Sequence, residues 1–335
     1  MRMRLVIAVL ALCVGSVWAQ DDGRILLRYH WTAGDTITWN MDVETTGTMV
    51  INDGGGVIAP GAEMPIWSVM SMPMTLQVED VDAEGNATLT MTMGIMQIDA
   101  EAMGQQQYIC INPETGIMTV NGEDRPLPQG MAATVGEPFR MVLSPLGKVL
   151  EMEVPEQMKA MMSASGMDMT QLLQMSQQWG ATFPEEAIAA GHVWEAEMQL
   201  PTVPAEGAEA AEGATGEATM LFRLREADDT ERVAYIDMMG LMDFEHLPVP
   251  PMAGTMPGFG GGNMTMEIGP MYASVAGTFD FDYETGELLG SEAAVLINMT
   301  QRMNGTVETP DGKRDINMEI LTRDMTVQST VEVVR

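Results

Sequence analysis

One turn-and-strand phrase occurs twice in this chain. In the first copy, Leu27-Arg28-Tyr29-His30-Trp31 runs into Ala33-Gly34-Asp35 and then Thr36-Ile37-Thr38-Trp39. In the second, Phe183-Pro184 runs into Ala190-Gly191-His192 and then Val193-Trp194. Each Ala-Gly turn precedes a strand-like run, a polar loop and a hairpin. A later hairpin in each half closes on glycine, at Ser144-Pro145-Leu146-Gly147 and at Tyr283-Glu284-Thr285-Gly286. A repeated β unit of this kind predicts two similar curved antiparallel sheets. Trp39 and Trp194 follow their glycines at odd spacing, which keeps a side chain on one face of a strand. Both indoles are therefore expected to be buried in equivalent places.

Alternation supports the β reading on both sides of the midpoint. Ile37, Trp39, Met41 and Val43 share one face, and Thr36, Thr38, Asn40 and Asp42 the other. The same pattern recurs at Met74-Leu76-Val78, Leu89-Met91-Met93, Met220-Phe222-Leu224, Phe279-Phe281-Tyr283, Ala293-Val295-Ile297 and Met325-Val327-Ser329. One apolar and one polar face is the half-solvated antiparallel pattern. Asn112-Pro113-Glu114-Thr115-Gly116 has turn chemistry between two such runs. The middle differs. Pro155 suits a helix start, Asp168 to Gln171 resembles a capping box, and apolar residues follow helical spacing. The chain thus divides into a leader over 1–19, a first β repeat over 20–154, a helical linker or lid over 155–179 and a second β repeat over 180–335. Three Gly-, Pro- or Ala-rich stretches, 52–65, 204–218 and 248–263, read as flexible connections.

The leader has Arg2 and Arg4, an apolar stretch from Leu5 to Val14, and small residues at Val17 and Ala19. This predicts export, with cleavage before Gln20 and a periplasmic or extracellular destination. Leu10-Ala11-Leu12-Cys13 loosely resembles a lipid-attachment signal and keeps an anchored form open. No later segment is apolar and long enough to span a bilayer. Sixteen basic against 48 acidic residues give a formal charge of −32, which repels nucleic acid and anionic membranes. Thirty-six methionines stand against 5% aromatic residues. Thioethers can ligate Cu(I), but strand-alternating spacing reads as adaptable core filling.

The sequence carries no nucleophile elbow, no His-Glu-x-x-His, no phosphate loop and no paired CxxC. It predicts no enzyme, no cofactor and no metal. Asp80, Asp82, Glu84 and Gly85 partly match a calcium loop, but Met91 stands where a bidentate Glu is needed, and an acidic hairpin turn accounts for the segment. His30, His192 and His246 are scattered. The candidate ligand contacts are Met158, Met161, Met162, Met169, Leu172, Leu173 and Met175, a flexible apolar stripe on the expected helices.

The two opening phrases, with Gly286-Glu287-Leu288-Leu289-Gly290-Ser291-Glu292, resemble those of exported bacterial proteins of an uncharacterised family. That resemblance implies an exported β-rich protein and brings no catalytic residues. His192 stands where the first turn has Asp35. In architecture the pattern is also similar to half-barrel envelope lipoprotein carriers, whose curved antiparallel sheet and covering helices enclose an apolar cavity. The expected function is a non-enzymatic envelope protein with a structural or protein-interaction role. The alternative is a binding module for a hydrophobic ligand such as a lipid acyl chain. The partner is then an envelope protein or an apolar ligand.

Overall fold

The computed structural model describes residues 23–53, 61–102, 105–127, 137–155, 159, 182–197, 215–248, 252–253, 262–309 and 312–334. These residues are mainly β, and the strands pair antiparallel. The first half supplies β1 (Arg24–Ile25), β2 (Thr36–Asp53), β3 (Ala62–Val81), β4 (Ala87–Met93), β5 (Met96–Ala102), β6 (Gln105–Asn112), β7 (Ile117–Val120), β8 (Glu123–Pro126), β9 (Phe139–Leu143) and β10 (Val149–Glu153). The second supplies β11 (Ile188–Ala189), β12 (Val193–Glu197), β13 (Thr215–Asp228), β14 (Val233–Pro248), β15 (Met252–Ala253), β16 (Gly262–Asp282), β17 (Glu287–Thr309) and β18 (Gly312–Val334).

The expectation of two separate, similar sheets is corrected. Sixteen strands form one sheet, and β1 pairs β11 apart from it. The cause is β18, which bonds β17 along one edge and β2 along the other. A strand with both edges paired joins the halves. The order is β12-β13-β14-β16-β17-β18-β2-β3, and at β3 the sheet divides. The later part of β3 pairs β4, then β9 and β10. Its earlier part pairs β5, then β6, β7 and β8. Pro73 lies at the division, and its carbonyl accepts the Gly94 N–H at 2.8 Å.

At one end of this sheet two sets of strands keep the same local frame. One is β2-β3-β4-β9-β10 and the other β12-β13-β14-β16-β17. In the first, Gly34 N–H donates to Val78 O (2.8 Å) and Val78 N–H to Asp35 O (2.9 Å). In the second, Gly191 N–H donates to Leu224 O (2.7 Å) and Leu224 N–H to His192 O (3.0 Å). Gly34 and Gly191 have φ of 94° and 87°, a left-handed conformation that glycine adopts without steric cost. A bulge follows in each, between Val78 and Asp80 and between Leu224 and Glu226. The next turns are both held by an aspartate: Asp82 Oδ1 accepts Glu84 N–H and Asn86 N–H, and Asp228 Oδ1 accepts Thr230 N–H and Glu231 N–H. Ala87 and Leu89 then face Leu143 and Met141, as Ala234 and Ile236 face Phe281 and Phe279. Beyond this end the sets differ: β9 and β10 have 5 residues each, whereas β16 has 21 and β17 has 23.

The frame corrects the reading of the two tryptophans. Because Val78 corresponds to Leu224, the partner of Trp194, Phe222, corresponds to Leu76, the partner of Ile37. Trp194 thus matches Ile37, and Trp39 matches Ala196. The flexible readings also shrink, since β2 runs to Asp53 and β3 starts at Ala62, with Ile51 opposite Ala62. The expected helices fall almost wholly outside the described residues. Within them, Lys159 N–H donates to Pro155 O at 3.0 Å. Met158, Met161, Met162, Met169, Leu172, Leu173 and Met175 all lie outside.

Two core clusters sit at the shared end, and a smaller one, Ile111 and Leu127 with Met96, Ile109 and Met118, lies among β5, β6 and β7. The second frame packs Phe222, Leu224, Ala234, Ile236, Phe279 and Phe281 with Ile25, Leu27, Phe183 and Ile188. The first packs Leu76, Val78, Ala87 and Leu89, with Trp31 and Trp39 against them. The segment before β2 links the clusters by alternation: Leu27 and Tyr29 enter one and Trp31 the other. Farther along the sheet, register shifts at Ile268/Met271, Ile297/Met299 and Arg323/Thr326 lie on adjacent strands, so the ladder is irregular along one line. Among the described residues no helix is long and apolar enough to cross a membrane.

Candidate ligand cavity

Where the two clusters meet, the sheet leaves a partly open cavity of about 430 Å³. Its apolar wall is built by Ile37 and Trp39 at the start of β2, Val333 and Val334 at the end of β18, and Leu288 at the start of β17. Tyr29 and Trp31 close another side, and Asp282, Thr285, Gly286 and Glu287 of the β16–β17 turn form the third. The size is that of a small-molecule site.

Local sequence explains each wall. Trp39 pairs Val333 across β2 and β18, and the same apolar face continues through Met41–Val331–Ser291, Val43–Ser329–Ala293 and Thr45–Val327–Val295. These residues are half-buried. At the rise of a strand, Trp39 to Thr45 gives the strip a length of roughly 20 Å. On the opposite face Asn40, Asp42 and Glu44 are exposed. The segment 28–30 lies across the turn: His30 N–H donates to Gly286 O at 3.3 Å. A Cβ on Gly286 would meet His30 N at 2.3 Å and Arg28 O at 2.7 Å, so only glycine lets the two backbones approach.

The aromatic residues near the cavity pack against one another. The Tyr29 and Trp31 rings stack at 5.5 Å, and Tyr29 meets Phe183 and Phe281 at 5.2 Å each. Burial pushes the Tyr29 phenol up to about 12. The indole N–H groups of Trp31 and Trp39 are buried without a hydrogen-bond partner. An unpaired buried donor costs about 1–3 kcal/mol. Trp194, in contrast, donates to Thr182 O at 2.9 Å.

Neighbouring cations are engaged. Arg28 donates to the carbonyls of Leu27, Pro184 and Glu185, and Arg232 pairs Glu284 at 2.6 Å. Asp282 accepts Glu284 N–H and Thr285 N–H, both at 2.9 Å.

The structure does not join the other sequence candidates into a site. His30 and His192 are exposed and lie at different turns, and the side chain of His246 is outside the description. Asp82 is used by its own hairpin: hydrogen bonds from Asn86, above all from its side chain, hold the carboxyl below the usual range. Cys110 is a half-buried free thiol in β6. Sequence reasoning missed the cavity. Its only local signal was the alternation Leu27-Tyr29-Trp31, which reads as a lead-in until β17 and β18 are placed beside it.

Neither a family model nor a curated protein matches the chain. Among solved structures it is similar to lipovitellin, in a structure of its lipid–protein interactions, with TM-score 0.40 and 11% identity over 91% of this chain and 26% of that one. The chain therefore spans about a quarter of that relative's length. An outer membrane channel from Pseudomonas putida F1 gives TM-score 0.22 and 6% identity over 95% of this chain and 100% of that one. Likeness at these scores assigns neither a fold family nor a function.

Proposed function

We propose that this is an exported, non-enzymatic envelope protein that binds a linear apolar ligand, such as an acyl chain, on the inner face of its sheet. The observation that carries the reading is the cavity of about 430 Å³ at the end of a largely apolar strip. Export is read from residues 1–19. The matched frames are read as copies of one ancestral unit, later extended unequally.

The test is equilibrium binding of a neutral fluorescent acyl probe to the mature chain. The reading expects saturable 1:1 binding that Trp39→Leu weakens roughly tenfold while the fold persists. No saturable binding would return the protein to a structural or protein-interaction role.

A further inference from the structure

The outer face of the sheet changes character from strand to strand. On β2 it carries Asn40, Asp42 and Glu44, the polar face expected of a half-solvated antiparallel sheet. On β14, β16 and β17 it carries apolar side chains instead. Met239, Leu241, Tyr272 and Leu296 are 41%, 40%, 42% and 37% exposed. The register brings them together. Met239 faces Ala276, which faces Ala294, and Leu241 faces Ser274, which faces Leu296. Leu221 of β13 extends the first row beside Met239, and Tyr272 stands one rung beyond Ser274. Ser274 and Ala276 are small, so they floor a shallow trough between Met239 and Leu241 on one side and Leu296 on the other. Ala273 and Val275 of β16 are buried on the opposite face, so core packing does not account for the apolar outer one.

Carboxylates ring the trough. Glu195 lies beside Leu221, Asp243 beside Tyr272, Glu292 one rung from Ala294, and Glu44 beyond Ala294 across Gln328. All four are exposed. Of the nearest cations, Arg223 is held by Asp237, and Arg323 lies past Asn298 next to Asp324. The three strands span roughly 10 Å, about the diameter of an α-helix. A second folded copy would need a face of about 800 Å² and would bring its own acidic ring against this one.

We propose that the outer patch docks a basic amphipathic helix of a partner protein, its apolar stripe in the trough and its lysines or arginines over the carboxylates. The patch and the cavity lie on opposite faces of the sheet, so this docking does not depend on ligand binding.

The test is anisotropy titration of a labelled helical peptide of leucine and lysine into the mature chain at about 0.15 M salt. The peptide has about 14 residues, roughly 21 Å of helix, with its leucines in one stripe. The expected result is saturable 1:1 binding. Leu241→Ser with Leu296→Ser, both at exposed positions, weakens it roughly tenfold while the melting temperature holds. Glu195→Gln with Glu292→Gln weakens it roughly threefold. Glu151→Gln with Glu186→Gln, exposed carboxylates on β10 and before β11, leaves it unchanged. A peptide of the same composition with its leucines scattered around the helix binds roughly tenfold more weakly.

Equal binding of the scattered peptide, or binding that the leucine double variant does not weaken, reduces the effect to general attraction by a chain of net charge −32 and overturns the proposal. Absence of binding overturns it as well. Self-association, or adsorption to phosphatidylcholine vesicles, that the leucine double variant abolishes would assign the patch to a second copy or to a lipid surface and overturn it too. None of these outcomes bears on the cavity, which the acyl probe reads separately.

Discussion

The two frames at the shared end of the sheet have the same backbone and different contents. Around Val78 the first holds Leu76, Leu89, Met141 and Leu143. Around Leu224 the second holds Phe222, Ile236, Phe279 and Phe281. The second is filled by rings: Phe281 lies 4.7 Å from Phe183, and Phe222 lies 5.6 Å from Trp194. The first is aliphatic at the matching positions, with Trp31 and Trp39 packed against it, and the cavity opens at its border. Even the outward bulges differ, with their charges exchanged. Glu79 takes a hydrogen bond from Thr90 and pairs Arg140 at 3.0 Å, while Arg225 at the matching position pairs Asp237 at 3.3 Å. The same turn geometry and register therefore accommodate different enclosed side chains. The backbone bracket defines the fold, and the side chains decide whether space remains for a guest.

The largest difference should appear on deleting matched core side chains. Phe281 is fully buried, and Phe281→Ala should cost about 3–5 kcal/mol in denaturant unfolding. Leu143, its half-buried counterpart, should cost about 2 kcal/mol as Leu143→Ala. Equal costs would mean that the two frames are packed alike.

Tyr29 gives a pH test of the packing between them. The fold favours its neutral phenol, so this contribution to stability is complete below pH 10.0, the ordinary value. It is lost as pH rises from there through about 12. A melting-temperature series should show that decline, and Tyr29→Phe should remove it.

The shared bracket is tested by Gly34→Ala and Gly191→Ala. A Cβ at either position meets nothing within 4 Å, so only the left-handed backbone is strained. Each change should cost about 1 kcal/mol, and the two should agree. A clear disparity would separate the frames. The smallest effect is expected at the bulges. Asp237 is engaged by both Arg223 and Arg225 and is less exposed than Glu79. Asp237→Ala should lower the melting temperature more than Glu79→Ala does.

What the sequence made legible was local. Alternation located Met220, Phe222 and Leu224, and all three are buried. Turn chemistry located Asn112, whose Oδ1 accepts Glu114 N–H at 3.0 Å and Thr115 N–H at 3.2 Å. The pairing of β18 with β2 was not legible, because two well-patterned strands far apart in the chain carry no mark of each other. The bulges at Glu79 and Arg225 also hid the match of the frames, since one extra residue shifts strand parity. The tryptophan equivalence failed for a related reason: odd spacing fixes the face but not the rung, and Trp194 sits one rung nearer its turn than Trp39. The cavity needed all of these placements at once.

The most direct measurement of the central claim is quenching of tryptophan emission by a brominated ten-carbon alcohol. Trp31 and Trp39 wall the cavity, whereas Trp194 packs in the aromatic cluster. The account predicts saturable quenching at one equivalent. It should largely disappear in the double variant Leu288→Phe, Val333→Phe, which fills the space while the melting temperature holds. Undiminished quenching in that folded variant, or none in the parent chain, would contradict it.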